Sequence, residues 1–465
     1  MLRHNKRVVG VICGLALSIE SMQASGFRLT EQSLNGTALN SAFIAGAYGA
    51  DSTYYNPANM SLGRDSDKHE IEIDGTLLFI PPFRFSTGDR SVYECASQNI
   101  CNKSVEGKAL TTIQPIPKFF YKSRAYEVAS SLRTNFGVSF TTPSGLSMNW
   151  DGIGGGFLDD VSIAMMELNP VVSLAWRDFI SFGVGFRAIY SFGSFNNTLY
   201  VPYNAIGGAF KGTTKVEQTS NAKGFGFGYN LALSIMPFAT SSVESLKSLT
   251  LSSTYRSKVG IDMNGSLSAL AHVSQSGANM GTVNMDAGLM LNADMPHILN
   301  VGISQDFGRS RVEFVYERTF WGSARIFDFQ YANQRFYNLT GALAVLGVDY
   351  VAGMMNSADY SAVAYGNGWK DSNAYRLGYT YFGESYKIMG SIAYDETPAP
   401  QGKFGIPDAN AYMFGLGFRK RFLDDRLDLG LAYSLALKDN RKSFIVSHDG
   451  FGQLHLLTIG AKYLW

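Results

Sequence analysis

The sequence has few charged residues, few cysteines and no long apolar run, and each absence excludes a class of protein. Charged residues make up 17% of the 465 residues, against about a quarter in a soluble domain, and the net charge of +1 offers no basic surface for nucleic acid. The longest apolar run, residues 8–19, is shorter than the roughly 20 residues that a membrane-crossing helix needs. The chain is nevertheless 46% hydrophobic and 13% aromatic, which excludes disorder. A large all-β soluble protein and a transmembrane β-barrel remain.

The first residues have the order of an export signal. Arg3, Lys6 and Arg7 precede the apolar run, and Ala24 follows it as a small residue suited to cleavage. We therefore predict a signal peptide over residues 1–24, in preference to a buried N-terminal helix.

Only two cysteines, Cys95 and Cys101, follow the predicted signal peptide. In an oxidising compartment such a close pair predicts a local disulfide. A metal site is the alternative, but it needs further ligands and no histidine lies nearby in the sequence. We predict the disulfide, and no metal or other cofactor.

Alternation with a period of two residues dominates the chain. From Leu427 to Leu437 every second residue is leucine or Tyr433, and the residues between them are small or charged. Successive side chains of a strand point to opposite faces, so one face is apolar and the other is not. A soluble sandwich would place bulky polar side chains on its second face. Small and isolated charged residues favour a barrel with a polar lumen and a lipid-facing exterior.

Fourteen such segments are predicted, an even number as bacterial barrels require. They lie near residues 69–81, 114–122, 134–141, 168–177, 179–190, 225–236, 247–258, 296–305, 310–321, 374–382, 386–395, 410–420, 426–437 and 453–465. Long and short connections alternate, with long outer loops expected at 142–167, 191–224, 259–295 and 322–373. The predicted fold is all-β, a fourteen-stranded antiparallel transmembrane β-barrel over residues 67–465.

The last strand alternates up to Tyr463 and the terminal Trp465. Outer-membrane barrels commonly end on such an aromatic residue, which the barrel-assembly machinery reads. We therefore expect these two residues to act as an assembly signal, and the protein to lie among the lipids and lipopolysaccharide of the bacterial outer membrane.

Residues 25–66 precede the first strand and contain no alternating run. They fit either a periplasmic linker or a plug inside the barrel. Fourteen strands enclose a lumen wide enough to leak, because somewhat larger barrels are open pores. We therefore predict that residues 25–66 form a plug, the hatch.

Several short motifs resemble those of the FadL family of long-chain fatty acid and hydrocarbon transporters. The similarity covers essentially the whole chain after residue 24, and single motifs are weak while their order is specific. The motifs are Ser25-Gly26-Phe27-Arg28-Leu29, Asn56-Pro57-Ala58, Pro143-Ser144-Gly145-Leu146, Leu168-Asn169-Pro170, Tyr255-Arg256-Ser257-Lys258-Val259, Asp294-Met295-Pro296, Phe320-Trp321, Tyr394-Asp395-Glu396-Thr397-Pro398 and Ile406-Pro407-Asp408.

The resemblance implies a monomeric barrel closed by an N-terminal hatch. A long-chain fatty acid or other hydrophobic small molecule would be caught by apolar outer loops and passed to a lumenal pocket. It would leave by diffusion through an opening in the wall at a kink in the third strand. The resemblance places Phe27 and Leu29 at the pocket, and Asn56, Pro57 and Ala58 at a corner that holds the hatch beside that strand.

Two further groups of residues are candidates for ligand contact. Leu343, Leu346 and Met354 lie in the fifth outer loop, where they fit a capture surface or, equally, packing between loops. Arg187, Arg256 and Lys258 have the parity of lumen-facing residues and would suit a carboxylate. The alternative for these three is a structural charge network with Glu313 and Glu317.

Other function classes have less support. The sequence contains neither G-x-S-x-G nor H-E-x-x-H, and the histidines after residue 24 are scattered, so we predict no enzyme. A general porin or a loop-mediated adhesin is the alternative. A porin would lack the hatch and conduct ions steadily, whereas adhesion is compatible with transport.

Overall fold

A computed structural model describes most of the chain. The described residues are 26–62, 67–82, 84–86, 106–149, 160–205, 210–275, 277–324, 326–356, 369–399, 408–439 and 452–465. The predicted signal peptide and the predicted disulfide between Cys95 and Cys101 lie outside them.

Strands dominate the described residues and are numbered here in chain order. They are β1 (Glu70–Ile80), β2 (Arg84–Ser86), β3 (Glu106–Lys108), β4 (Thr112–Lys122), β5 (Tyr126–Ala129), β6 (Leu132–Asn149), β7 (Asp160–Trp176), β8 (Ile180–Ala205), β9 (Phe210–Ile235), β10 (Thr250–Arg256), β11 (Asp262–Gln275), β12 (Ala278–Ala293), β13 (His297–Phe307), β14 (Ser310–Phe320), β15 (Ile326–Tyr337), β16 (Ser372–Phe382), β17 (Tyr386–Asp395), β18 (Ala411–Phe422), β19 (Leu427–Lys438) and β20 (Gly452–Leu464).

Fourteen of these strands form a closed antiparallel barrel, which confirms the predicted fold. They are β1, β4, β6–β10, β13, β14 and β16–β20, and each coincides with one of the predicted segments. Every strand pairs with the next along the barrel, and β20 returns to β1, where Glu70 lies opposite Leu464. Closure matters because an open sheet edge would leave unpaired backbone groups in lipid.

The period-two pattern separates two faces of the wall as predicted. On β19, Leu431 is 50% exposed on the outer face, whereas the neighbouring Ala432 is 1% exposed on the lumen side. The same alternation of exposed apolar and buried small or charged residues runs along β18. The exposed apolar side chains form the surface that meets lipid.

The strands on one side of the barrel run much further than a membrane requires. β8 and β9 each contain 26 residues, while about 9–11 suffice to span a bilayer. Beyond the membrane, β9 also pairs with β11, which pairs with β12, which pairs with β15. The outer connections predicted at 191–224 and 259–295 are therefore strand over most of their length, because alternation continues past the span, with Leu267, Ala269 and Ala271 buried along β11.

Helices are short and lie in the hatch and the connections. They are Leu34–Ala38, Ser52–Tyr55, Glu244–Lys247, Gly341–Leu346 and Val348–Asn356, with 3-10 turns at Pro57–Ser61 and Trp321–Ser323. No helix within the described part of the chain combines the length and the apolar character that a membrane crossing demands.

Residues 26–62 fold inside the barrel as the predicted hatch, and nearly all of them are buried. Ser33 begins the helix Leu34–Ala38 as its cap, because its side-chain oxygen accepts the N–H of Gly36 at 3.0 Å. The hatch has its own apolar cluster, in which Phe43 packs against Tyr55 with ring centroids 5.5 Å apart.

Candidate functional site

Polar groups of the barrel wall hold the hatch in the periplasmic half of the lumen. Glu313 accepts the backbone N–H groups of Ile44, Ala45 and Gly46 at 2.6, 2.6 and 3.0 Å. Lys118 donates to the carbonyl of Glu31 at 2.6 Å. Hydrogen bonds that involve a charged group are stronger than neutral ones, so these contacts fix the hatch firmly.

The corner Asn56-Pro57-Ala58 lies against β8 and β9. The Asn56 amide donates to the hydroxyl of Ser234 at 2.9 Å, and the carbonyl of Ala58 accepts the hydroxyl of Ser181 at 2.6 Å. A side chain at Gly183 would lie 2.5 Å from the backbone nitrogen of Ala58, so a glycine there admits the corner. The same 3-10 turn also reaches the third barrel strand, where Ser61 donates to Asn135 of β6 at 2.8 Å.

The wall has a gap between β4 and the third barrel strand, β6. Their ladder covers only Phe119–Lys122 opposite Gly137–Phe140, although β4 continues outward for seven more residues, 112–118. The pairing of β6 with β7 also shifts register between Thr141 and Ser144. Pro143 lies in this bulge, where its missing N–H suits an interruption of the ladder.

The start of the hatch occupies the edge of β6 that β4 leaves. Leu29 donates its N–H to the carbonyl of Pro143, and Gly145 donates to the carbonyl of Phe27, both at 2.9 Å. The Gln32 amide donates to the carbonyl of Thr142, also at 2.9 Å. The hatch therefore satisfies backbone groups that the gap would otherwise expose.

Phe27 is fully buried between two tryptophans. Its ring centroid lies 5.0 Å from that of Trp321 and 5.9 Å from that of Trp369, and the two indoles lie 4.8 Å apart. Gly26 precedes it with φ of +73°, and a side chain there would lie 2.4 Å from Trp369. The N–H of Gly26 donates to Asp408 at 3.2 Å, and burial raises the pKa of that carboxyl to about 6.

Phe27 and Leu29 were expected at the pocket, whereas the two tryptophans had no role assigned from the sequence. Trp321 follows directly after β14 and Trp369 precedes β16, so both rings come from the outer ends of neighbouring barrel strands. The signal that could have found them is a tryptophan at the outer end of each of two neighbouring predicted strands, Trp321 as the last residue of 310–321 and Trp369 shortly before 374–382.

An unbroken cluster of buried apolar residues connects this aromatic group with the outer strands. Its members include Leu29, Leu78, Ile116, Ile163, Met165, Val259, Ile261, Met263, Leu267, Leu289, Leu291, Met295, Phe336, Leu343 and Val351. Apolar side chains thus form a continuous surface in the outer half of the lumen, which also holds buried ion pairs such as that of Lys438 with Asp408 at 3.2 Å.

The three candidate capture residues have different environments. Leu343 is only 1% exposed and packs in the apolar cluster, whereas Leu346 is 43% exposed. Val345, next to Leu346, is 88% exposed. Met354 lies in the helix Val348–Asn356. Leu346 and Val345 are therefore accessible at the surface, whereas Leu343 contributes to packing.

Arg187 and Arg256 face the lumen as expected, but both bind Glu167. Arg187 lies 2.8 Å from one carboxylate oxygen, and Arg256 binds the other. Arg256 also donates to the carbonyl of Tyr54 at 3.2 Å and lies over that ring at 4.3 Å. Lys258 is paired with Asp294 at 3.0 Å.

The expected network with Glu313 and Glu317 was therefore wrong in its partners. Glu167 lies on β7, beside β8 and Arg187, whereas β14, which carries Glu313 and Glu317, is five strands from β7 around the barrel. Glu317 instead pairs with Arg28 of the hatch at 3.1 Å and with Arg376 at 3.3 Å. In the described residues no group of three potential ligands is placed to hold a metal ion.

The last strand ends where the barrel closes. His69 and Trp465 exchange backbone hydrogen bonds of 3.0 and 3.1 Å, and their rings stack at 5.3 Å. Tyr463 lies 6.1 Å from Trp465, also stacked. The proposed assembly signal thus lies at the seam and at the periplasmic rim.

Comparison with known proteins agrees with this arrangement. The profile described as outer membrane protein transport protein (OMPP1/FadL/TodX) matches residues 15–452. Among curated proteins, none matches the sequence.

The fold is similar to that of several solved structures. A FadL homologue from Pseudomonas aeruginosa aligns with a TM-score of 0.68 and 14% identity, over 94% of this chain and 99% of that one. The toluene transporter TodX from Pseudomonas putida gives 0.59 and 15%, over 95% and 99%. The toluene transporter TbuX from Ralstonia pickettii gives 0.57 and 13%, over 94% and 98%. At such identities the likeness shows a shared fold alone.

Proposed function

Because the chain belongs to the OMPP1/FadL/TodX family of outer membrane transport proteins, we propose a route by which it takes up hydrophobic small molecules by diffusion. The exposed apolar residues Val345 and Leu346 capture the molecule outside. The apolar cluster carries it to the aromatic group around Phe27, and the gap between β4 and β6 releases it sideways. The protein works as a monomer, and its role is transport and not catalysis.

One observation carries the proposal. The wall is interrupted between β4 and β6, and the segment that fills the interruption also places Phe27 in the apolar pocket. A molecule that displaces the Phe27 ring loosens the same segment that closes the gap. Arrival in the pocket and opening of the wall are therefore coupled through three residues, Phe27 to Leu29.

The pairing of the cations favours uncharged substrates. Arg187, Arg256 and Lys258 are each bound to a buried carboxylate, so a ligand carboxylate would have to displace one. Burying an unpaired charge is costly, whereas apolar surface gains about 25 cal/mol per Å² on leaving water. We propose uncharged hydrophobic molecules as the preferred substrates. Long-chain fatty acids are the second candidate, favoured by the position of Arg187 and Arg256 beside the hatch.

Calorimetric titration of the delipidated protein tests the proposal. Toluene, oleyl alcohol and oleate are added separately, with the buffer and detergent matched. We expect the two uncharged ligands to bind more tightly than oleate. Tighter binding of oleate, lost in the variant Arg187→Gln, would reverse the substrate preference. Binding of none of the three would contradict transport of these classes and favour a porin or an adhesin.

A further inference from the structure

Two prolines lie on β4 where its pairing with β6 ends. Pro115 and Pro117 flank Ile116, and the first β4 residue paired with β6 is Phe119, opposite Phe140. Proline has no N–H to donate, and for that reason it is found on edge strands or at interruptions of a sheet. Alternation alone predicts this segment as an ordinary strand.

The missing donors fall on the edge that faces β6. In an antiparallel strand the backbone groups of alternate residues point to the same side, so Pro115, Pro117 and Phe119 share one edge. The ladder with β1 runs unbroken from Thr112 to Lys122. Since β1 takes one edge throughout, the two prolines remove consecutive donors from the other edge.

The facing strand has a matching irregularity. Pro143 lies in the bulge of β6, and the hatch residues Phe27 and Leu29 bind the β6 edge there. The edge is therefore available to the hatch because β4 cannot take it. Ile116, between the two prolines, points inward and belongs to the apolar cluster, so the gap opens on the apolar lumen.

We propose that Pro115 and Pro117 are positioning residues that keep the gap between β4 and β6 from closing into a continuous ladder. They act by removing the two donors that would otherwise compete with the hatch for β6. The proposal rests on the proposed lateral exit, and it assigns that exit to a feature of β4 as well as of the third strand.

The test restores the donors with the double variant Pro115→Val/Pro117→Val. Both side chains are exposed on the outer face, so valine there meets lipid and does not enter the lumen. We expect amide exchange in residues 113–119 and 141–147 to slow, and uptake of radiolabelled toluene by cells to fall about tenfold, the effect of two added hydrogen bonds of ordinary strength. Toluene affinity by titration should change less than about twofold, because the pocket is untouched.

The matched control is Pro202→Val on β8, a strand proline above the barrel, which should leave exchange at the gap and uptake unchanged. The single variant Pro115→Val should give an intermediate effect and serves if the double variant does not fold. Unchanged exchange, or slowed exchange with normal uptake, would overturn the inference. If the unaltered protein neither binds nor takes up toluene, oleyl alcohol or oleate, the proposed function fails, while slowed exchange would still show that the prolines keep the ladder open.

Discussion

The two halves of the lumen differ in chemistry although the same strands build both. The inward row of β1 begins with Glu70, Glu72 and Asp74 at the periplasmic end and finishes with Leu78 and Ile80 at the outer end. The paired strand β20 shows the same change, from Lys462 to Leu454 and Leu456. Along these two strands the lumen side is charged in the periplasmic half and apolar in the outer half, whereas other strands carry isolated buried ion pairs further out, such as Lys438 with Asp408.

The two halves of the lumen therefore have different roles. Buried charges require partners, and in the periplasmic half they find one another and the backbone of the hatch, as Glu70 does with Lys122 at 2.6 Å and with the N–H of Ala50 at 3.1 Å. The outer half carries the continuous apolar cluster, whose side chains gain contacts with an apolar molecule and lose none to unpaired charge. The periplasmic half therefore fixes the hatch, and the proposed path runs through the apolar cluster of the outer half.

The largest expected effect comes from removing the plug. Deletion of residues 26–62 should convert a closed barrel into a steady ion-conducting pore, because the hatch fills the charged half of the lumen and fourteen strands otherwise enclose an open channel. Conductance in planar bilayers measures this, with the unaltered protein giving almost no current.

A single substitution that weakens the attachment of the hatch should give a smaller change in conductance. Glu313→Gln keeps the shape of the side chain but replaces the charged acceptor of three hatch N–H groups, so intermittent openings should replace steady current. Steady current from the unaltered barrel would instead support the general porin.

The second effect comes from placing a charge in the apolar half. Ile116→Glu should lower hydrophobic uptake by about tenfold or more, because a carboxylate without a partner draws water into the path. Uptake of radiolabelled toluene by cells measures it. Ile116→Leu controls for the change in packing. Asp428→Asn is the second control, because Asp428 lies in the periplasmic half and pairs there with Arg419 at 3.3 Å. Equal losses from Ile116→Glu and Asp428→Asn would contradict the division of the lumen.

The smallest effect separates capture from packing at the top of the apolar path. Leu346→Ser should weaken toluene binding by about threefold without changing stability, since about half of this side chain is exposed. Leu343→Ser should instead destabilise the outer strands, because that side chain is buried. Titration and thermal unfolding of both variants distinguish the two roles. A reversed pattern would show that Leu346 belongs to the packing.

The sequence supported the barrel better than it supported the site. The fourteen strands were predictable because alternation is strong in every one. The outer connections were not, because β11 and β12 also alternate and no local pattern separates a strand inside the membrane from one beyond it. Arg187 and Arg256 were predicted to face the lumen, which parity decides, whereas their partner Glu167 was not predicted. Pro115 and Pro117 can be read in the sequence, but their effect on strand pairing depends on which edge of β4 faces β1 and which faces β6.

The sequence by itself determined which side of the wall each residue faces, because neighbouring side chains in a strand point in opposite directions whatever surrounds them. Tertiary structure alone decided which residues meet across the lumen. Glu313 contacts the backbone of Ile44 although 269 positions separate them, and Phe27 contacts Trp321 although the two are far apart in the sequence. Such contacts depend on closure of the barrel around the hatch, which no local pattern encodes.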